Sequence, residues 1–313
     1  MTKIILSTGN VMSGSPSIIR KINGGKRPRS NQELVNSLRD NFVATRLDYA
    51  LAASPAAANG ANTLPSPPQT PVELWTERDE KTLYVPRINW QAAGLREEAT
   101  DYEITVKLFL LPGTTVQDRE QYAREALDLV RKELGIQAID LLIVSFPGMS
   151  FEGTCEKEAE RINAQQGNLE EELASWKVFE DLHSQGLAKR LGVAEFGSEK
   201  LRAFLQQTAI RPTVDQVNLQ DCCNVPEPLL KLAEEESVEL HVHTDCTDIL
   251  PRGTLRELLG HGPQGAGVLA DAANGGTGLE GELFPQWVAR YVAYVKDRGV
   301  IENKGYFAGA ALQ

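Results

Sequence analysis

The sequence predicts an α/β protein built on a parallel sheet, and it favours a closed (β/α)8 barrel over an open doubly wound sheet. Three observations carry this reading. Five strand-length apolar runs between residues 103 and 243 are each separated from the next by a segment of helical spacing. Strands joined by crossover helices lie parallel and are buried on both faces. No glycine-rich phosphate fingerprint follows the first strand, because Ser7-Thr8-Gly9-Asn10-Val11-Met12-Ser13-Gly14 holds two glycines at the wrong spacing. Finally, 313 residues suit a single barrel domain spanning 1–313 with insertions.

The elements follow in order. Met1 to Asn10 reads as a first strand; its apolar part is too short for a secretory segment. Glu103 to Leu111 is a strand, and Asp118 to Leu134 repeats Ala123, Ala126, Leu127, Val130 and Leu134 on one helix face. Gly135 stands where a helix C-cap glycine belongs. Ile139 to Phe146 is the next strand, and Leu169 to Gln185 the next helix, ending at Gly186. Lys189 to Glu195 is a strand, after which Ser198 can N-cap a helix carrying Leu201, Phe204 and Leu205. Thr213 to Leu219 is a strand, Pro226 to Ser237 a helix with proline near its first turn, and Val238 to His243 a strand. Trp287, Tyr291 and Tyr294 suggest a helix over Phe284 to Asp297, followed by a short strand at Gly299-Val300-Ile301.

Two segments break this order and read as flexible insertions, at about 52–71 (Ala/Pro/Ser/Asn-rich) and 261–281 (Gly-rich). The 43 acidic against 32 basic residues give a net charge of −11. That balance disfavours nucleic acid and anionic membranes as partners. No apolar run approaches the roughly 20 residues of a membrane span. Cys155, Cys222, Cys223 and Cys246 form no secreted disulfide framework, so a cytoplasmic location is expected. His241, His243, Asp245 and Cys246 superficially suggest a metal, but no second cluster completes a tetrahedral set, and no metal is expected.

Several strands resemble the aldo-keto reductase family, whose members are (β/α)8 barrels that bind a nicotinamide cofactor. Val106-Lys107-Leu108 is similar to the strand ending in that family's catalytic lysine. Asp140 to Pro147 resembles the strand ending in its catalytic histidine. Lys189-Arg190-Leu191-Gly192-Val193-Ala194-Glu195-Phe196 resembles its Lys-x-Arg-x-x-Gly-Val-Ser-Asn-Phe strand, and Asp215-Gln216-Val217-Asn218 its Asn-Gln-Val-Glu strand. A divergent branch of that family, the regulatory (modifier) subunits of glutamate–cysteine ligase, is more similar still. The resemblance rests on Ser7-Thr8-Gly9-Asn10, Val106-Lys107-Leu108-Phe109, Gln216 to Leu219 before Cys222-Cys223, and Arg290-Tyr291. It rests most of all on Val295-Lys296, Arg298 to Ile301 and Lys304-Gly305-Tyr306, where ordinary reductases carry a phosphate-binding Pro-Lys-Ser.

The resemblance implies a lost reductase site. Lys107 stands at the lysine position, but Ser145 occupies that of the histidine and cannot replace an imidazole. No Asp-x-Ala-x-x-Tyr motif precedes Lys107. Ala194-Glu195 replaces the Ser-Asn that bonds the carboxamide, while Gln216 remains as a relic. No cofactor is therefore expected. What the resemblance implies instead is a non-catalytic regulatory subunit. It would form a heterodimer with the glutamate–cysteine ligase catalytic subunit, raise its glutamate affinity and relieve feedback inhibition by glutathione. An active NADPH-dependent reductase is the alternative. Lys107 reads as a structural ion pair, since a buried ammonium needs a partner. Cys222 and Cys223 read either as buried thiols or as a redox and interface site, because such regulatory subunits are thought to form a disulfide with their partner. The loops at 221–225 and 245–250 and the segment 291–306 are further interface candidates.

Overall fold

In the computed structural model, residues 2–13, 30–53, 70–152, 155–218, 225–262, 264–270 and 278–313 are described. β1 (Thr2–Ser7) leads to a long helix α1 (Ser30–Ala53), a single turn α2 (Val72–Trp75) and two short strands, β2 (Glu77–Asp79) and β3 (Thr82–Val85). The βα series follows as β4 (Tyr102–Leu110), α3 (Val116–Leu134), β5 (Ile139–Ser145), α4 (Glu156–Asn163), α5 (Leu169–Ser184), β6 (Ala188–Ala194), α6 (Ser198–Leu205), β7 (Val214–Asn218), α7 (Glu227–Glu236) and β8 (Glu239–His243). A short helix α8 (Thr254–Leu259) and two long strands, β9 (Leu283–Val295) and β10 (Val300–Leu312), complete it.

Ten strands form one mixed sheet in the order β2-β3-β1-β10-β9-β4-β5-β6-β7-β8. β4 to β8 pair in parallel, each with the next, as the alternating pattern predicts. The sheet curls, so that Lys107 on β4 reaches Asp245 just beyond β8, four strands away. The α/β barrel-type fold is thus present. It differs from eight parallel strands in its last unit, where a β9–β10 hairpin pairs antiparallel with β4 on one side and β1 on the other.

That hairpin corrects the helix read over Phe284 to Asp297 and extends the short strand read at Gly299 to Ile301. From Ala289 onward, burial alternates: Ala289, Tyr291, Ala293 and Val295 are buried, while Arg290, Val292 and Tyr294 are not. The spacing from Trp287 to Tyr291 fits either period, and Tyr294, which suggested a helix, faces solvent. Gly299, in the left-handed region at φ 65°, makes the turn.

Apolar residues of β4 (Ile104, Val106, Leu108) pack on α3 in the larger core, which includes α5, α6 and α7. A second core lies on the other face, where Leu34, Leu38 and Phe42 of α1 and Leu255, Leu258 and Leu259 of α8 meet Ile4, Leu6, Val288, Tyr306 and Ala308. Gly309 lies opposite Trp287 in the β9–β10 ladder and leaves room for that indole. α3 begins with a reciprocal Thr115–Asp118 capping box and ends at Gly135 with φ 66°. The helix expected after Ser198 is capped differently. Its N-cap is Gly197, and the Glu160 carboxylate accepts the Ser198 N–H and hydroxyl. Of the flexible segments read from composition, Ala52 and Ala53 end α1, whereas 54–69 and 271–277 lie outside the described residues. Residues 264–270 fold back on α8, with the Val268 and Leu269 amides donating to Leu259 O.

Candidate functional site

Strand register builds the site. Lys107 on β4 lies opposite Arg290 on β9, and Arg290 lies opposite Tyr306 on β10. These three polar side chains line up across adjacent antiparallel strands. Tyr306 in turn exchanges hydrogen bonds with Thr8, whose Oγ1 accepts the Tyr306 N–H at 2.8 Å. Residues just past β8 meet this row across the curled sheet. Lys107 Nζ donates to Asp245 Oδ2 at 2.9 Å, and Arg290 donates to Asp245 Oδ1. Asn218 Nδ2 holds the Asp245 carbonyl at 3.0 Å. A buried ammonium and a guanidinium thus share one carboxylate, and Lys107 is only 2% exposed.

His243 joins a second carboxylate to this group. Its Nδ1 accepts the Asp245 N–H at 3.0 Å, so in the neutral ring the proton sits on Nε2, which faces Glu195 Oε1 at 2.7 Å. Glu195 Oε2 accepts the Asn218 N–H at 3.3 Å, and Asn163 Nδ2 holds the Glu195 carbonyl at 2.6 Å. These bonds fix Glu195 in the left-handed region, φ 65°, an uncommon conformation for a side-chain-bearing residue. Beneath it, Asp215 is fully buried. Its Oδ1 accepts the Phe196 N–H at 3.4 Å, and its Oδ2 has no partner among the described residues.

Burial alone would raise the Asp245 carboxyl, but Lys107, Arg290 and His243 outweigh it and hold the group well below the usual carboxylate range. Asp215 goes the other way: burial pushes it well above that range, and Glu195 and Glu160 add to the shift. Tyr306 is also pushed up by burial. Arg290 opposes this, while Glu33, which accepts its hydroxyl at 3.1 Å, and Asp245 reinforce it. A phenol made less acid in this way is not a tuned proton donor.

The sequence-derived positions fall around this cluster. Lys107 has the structural ion pair expected of it. Ser145 is half-buried at the end of β5, in register with Phe109. Gln216 lies on β7, and its Oε1 is buried with no partner among the described residues. Cys222 and Cys223 lie outside the described residues. Asp245, Arg290, Tyr306 and Glu33 were missed as a group. Asp245 stood out only as a superficial metal ligand beside two histidines, and Arg290 only within the resemblance. His241 lies 3.4 Å from Glu239, away from the cluster. Among the described residues no group of His, Cys, Asp and Glu is arranged to hold a metal.

A nicotinamide dinucleotide does not fit these residues. The Ala194 side chain is fully buried and has no polar atom, and Glu195 places an anion, already bonded to His243, where the family resemblance implies a neutral amide. Gln216 alone could still meet a carboxamide. Among the described residues Lys107 donates to Asp245 and lies 3.4 Å from His243 Nε2, and no phenol is hydrogen-bonded to it.

Residues 89–257 match the model of the aldo/keto reductase family. The chain is 24% identical to the human glutamate–cysteine ligase regulatory subunit over 214 residues, 68% of each chain. It is 26% identical to the fission yeast (Schizosaccharomyces pombe) protein of that name over 228 residues, 70% of this chain and 75% of the relative. The NADPH-dependent α-keto amide reductase of Saccharomyces cerevisiae is 27% identical over 121 residues, 38% of this chain and 34% of that one. Among solved structures, the aldose reductase of Schistosoma japonicum aligns at 21% identity over half of each chain, with a TM-score of 0.33.

Proposed function

The chain belongs to the aldo/keto reductase family, and we propose that it is a member that regulates instead of reducing: a subunit that binds a glutamate–cysteine ligase catalytic subunit in the cytoplasm as a heterodimer. Binding raises the partner's affinity for glutamate and relieves its inhibition by glutathione. The observation that carries this reading is the closure of the reductase lysine. Lys107 is paired with Asp245, which Arg290 also holds, and among the described residues no phenol is hydrogen-bonded to it. The similarity to proteins named as regulatory subunits of this ligase, over two thirds of each chain, supports the rest.

In linkage terms the subunit binds the active conformation of its partner more tightly than the inhibited one, and the difference in affinity sets the size of the activation. The test is reconstitution with the purified catalytic subunit. A lower glutamate KM and a higher glutathione concentration for half-inhibition are expected. An unchanged glutamate dependence at saturating subunit would refute the proposal.

A further inference from the structure

α1 carries an apolar stripe on the wrong side for its core. Leu34, Leu38 and Phe42 face the sheet and are buried. Val43, Leu47 and Leu51 recur every four residues on the opposite face and are 50%, 40% and 58% exposed. Surface helices place charged residues there, and a helix that is apolar all round is normally covered by something. The stripe spans about 12 Å of helix at 1.5 Å per residue. Asp48 and Arg46 flank it on either side, and Asp40 lies one turn before Val43 on the same face.

The edge of the stripe is cationic. Arg39 and Arg46 lie two turns apart along one side of it. Arg39 reaches Glu257 at 4.0 Å, and Arg46 pairs with no carboxylate among the described residues but lies over the Trp75 ring, 5.8 Å from its centroid. Both leave Nε without a hydrogen-bond partner among the described residues. Each borders an open groove beside the helix, of about 570 Å³ at Arg39 and about 840 Å³ at Arg46. In a chain of net charge −11, two guanidinia with a single 4.0 Å carboxylate contact between them among the described residues, set beside an apolar ridge, are a local exception.

We propose that this face of α1 is a docking surface for a different protein, which presents an amphipathic helix: apolar residues to cover Val43, Leu47 and Leu51, and carboxylates two turns apart to meet Arg39 and Arg46. A second copy of this chain fits less well. Two bodies of charge −11 repel, and an antiparallel self-pairing of the stripe sets arginine against arginine. The inference rests on the reading of the chain as a regulatory subunit in one respect, namely that the partner is the glutamate–cysteine ligase catalytic subunit.

The experiment measures binding of the purified catalytic subunit to four full-length forms: wild type, Leu47→Lys, Arg46→Glu and Leu230→Lys. Leu230 is a control of similar exposure on α7, remote from α1 in sequence. All the substitutions lie at positions outside the buried cores, and circular dichroism checks their folding. Leu47→Lys is expected to weaken binding by tenfold or more, as loss of a central apolar contact does, roughly the range for interface anchors. Arg46→Glu should weaken it by about tenfold and flatten its salt dependence, while Leu230→Lys should bind as wild type does. Wild-type affinity in both α1 variants would overturn this surface and leave the regulatory reading standing. Failure of the wild type to bind would overturn both. A wild-type dimer that Leu47→Lys dissociates in sedimentation would assign the stripe to a second copy and overturn the proposal.

Discussion

Arg290 lies directly opposite Lys107 in the antiparallel β4–β9 ladder, and the two cations meet on the one carboxylate of Asp245. Like charges opposite one another in a ladder repel. The pair is tolerable because Asp245 lies between them, so Asp245 holds the cluster together.

Asp245→Asn should therefore cost about 3–5 kcal/mol at pH 7, the range for leaving buried charge without its partner. Lys107→Met should cost less, because Arg290 still compensates Asp245. The folded carboxyl is depressed, so its stabilisation is present above the unfolded value near 3.9 and is lost as pH falls toward the folded value. Urea unfolding at pH 7, 5 and 3 should show the penalty of Asp245→Asn constant at the first two and smaller at the third.

Asp215 predicts the opposite dependence. Its folded carboxyl is raised, so the wild type loses stability as pH rises above about 4 and toward the folded value. Asp215→Asn keeps an acceptor for the Phe196 N–H and removes the titration. A gain of about 1–3 kcal/mol at pH 8 is expected, because the cost of ionising a buried carboxyl is removed and one pKa unit is about 1.4 kcal/mol. The gain should shrink toward pH 4, and a pH-independent difference would contradict the assignment.

At Gly309 a methyl group would collide with the Trp287 indole. Gly309→Ala should destabilise by about 1–3 kcal/mol, as overpacking does. A shift in tryptophan emission should accompany it, because Trp287 is fully buried in the native state.

Thr115→Ala removes the side chain that accepts the Asp118 N–H at the start of α3. A loss of about 1 kcal/mol is expected from thermal or chemical unfolding.

Titration with NADPH should leave the emission of the four tryptophans without a saturable change. Saturable quenching together with turnover of an aldehyde would restore the reductase reading.

The parallel region was legible because each strand and helix there keeps one period over its whole length and has its neighbour next in the chain. The hairpin was not. Trp287 and Tyr291 satisfy both the helical and the strand period, and the partners that decide between them, β4 and β1, lie far away in sequence. α1 was passed over for a related reason: its C-terminal half is apolar on both faces and shows no contrast to read. In the site, Lys107 was found by position and its need for a partner by physics. The identity of that partner depends on sheet curvature, and the presence of Arg290 depends on antiparallel register. Neither is written in local pattern.

The hydrogen bonds between Thr8 and Tyr306 join residues 298 positions apart. β1 is synthesised well before its longest partner, β10. Until β10 is made, β1 pairs, among the described strands, only with four-residue β3. An apolar strand therefore waits with one edge open until β10 is available, which makes this a slow, late closure and a window for aggregation. Expression at low temperature or with chaperone support should raise soluble yield more for this chain than for one whose first strand pairs locally.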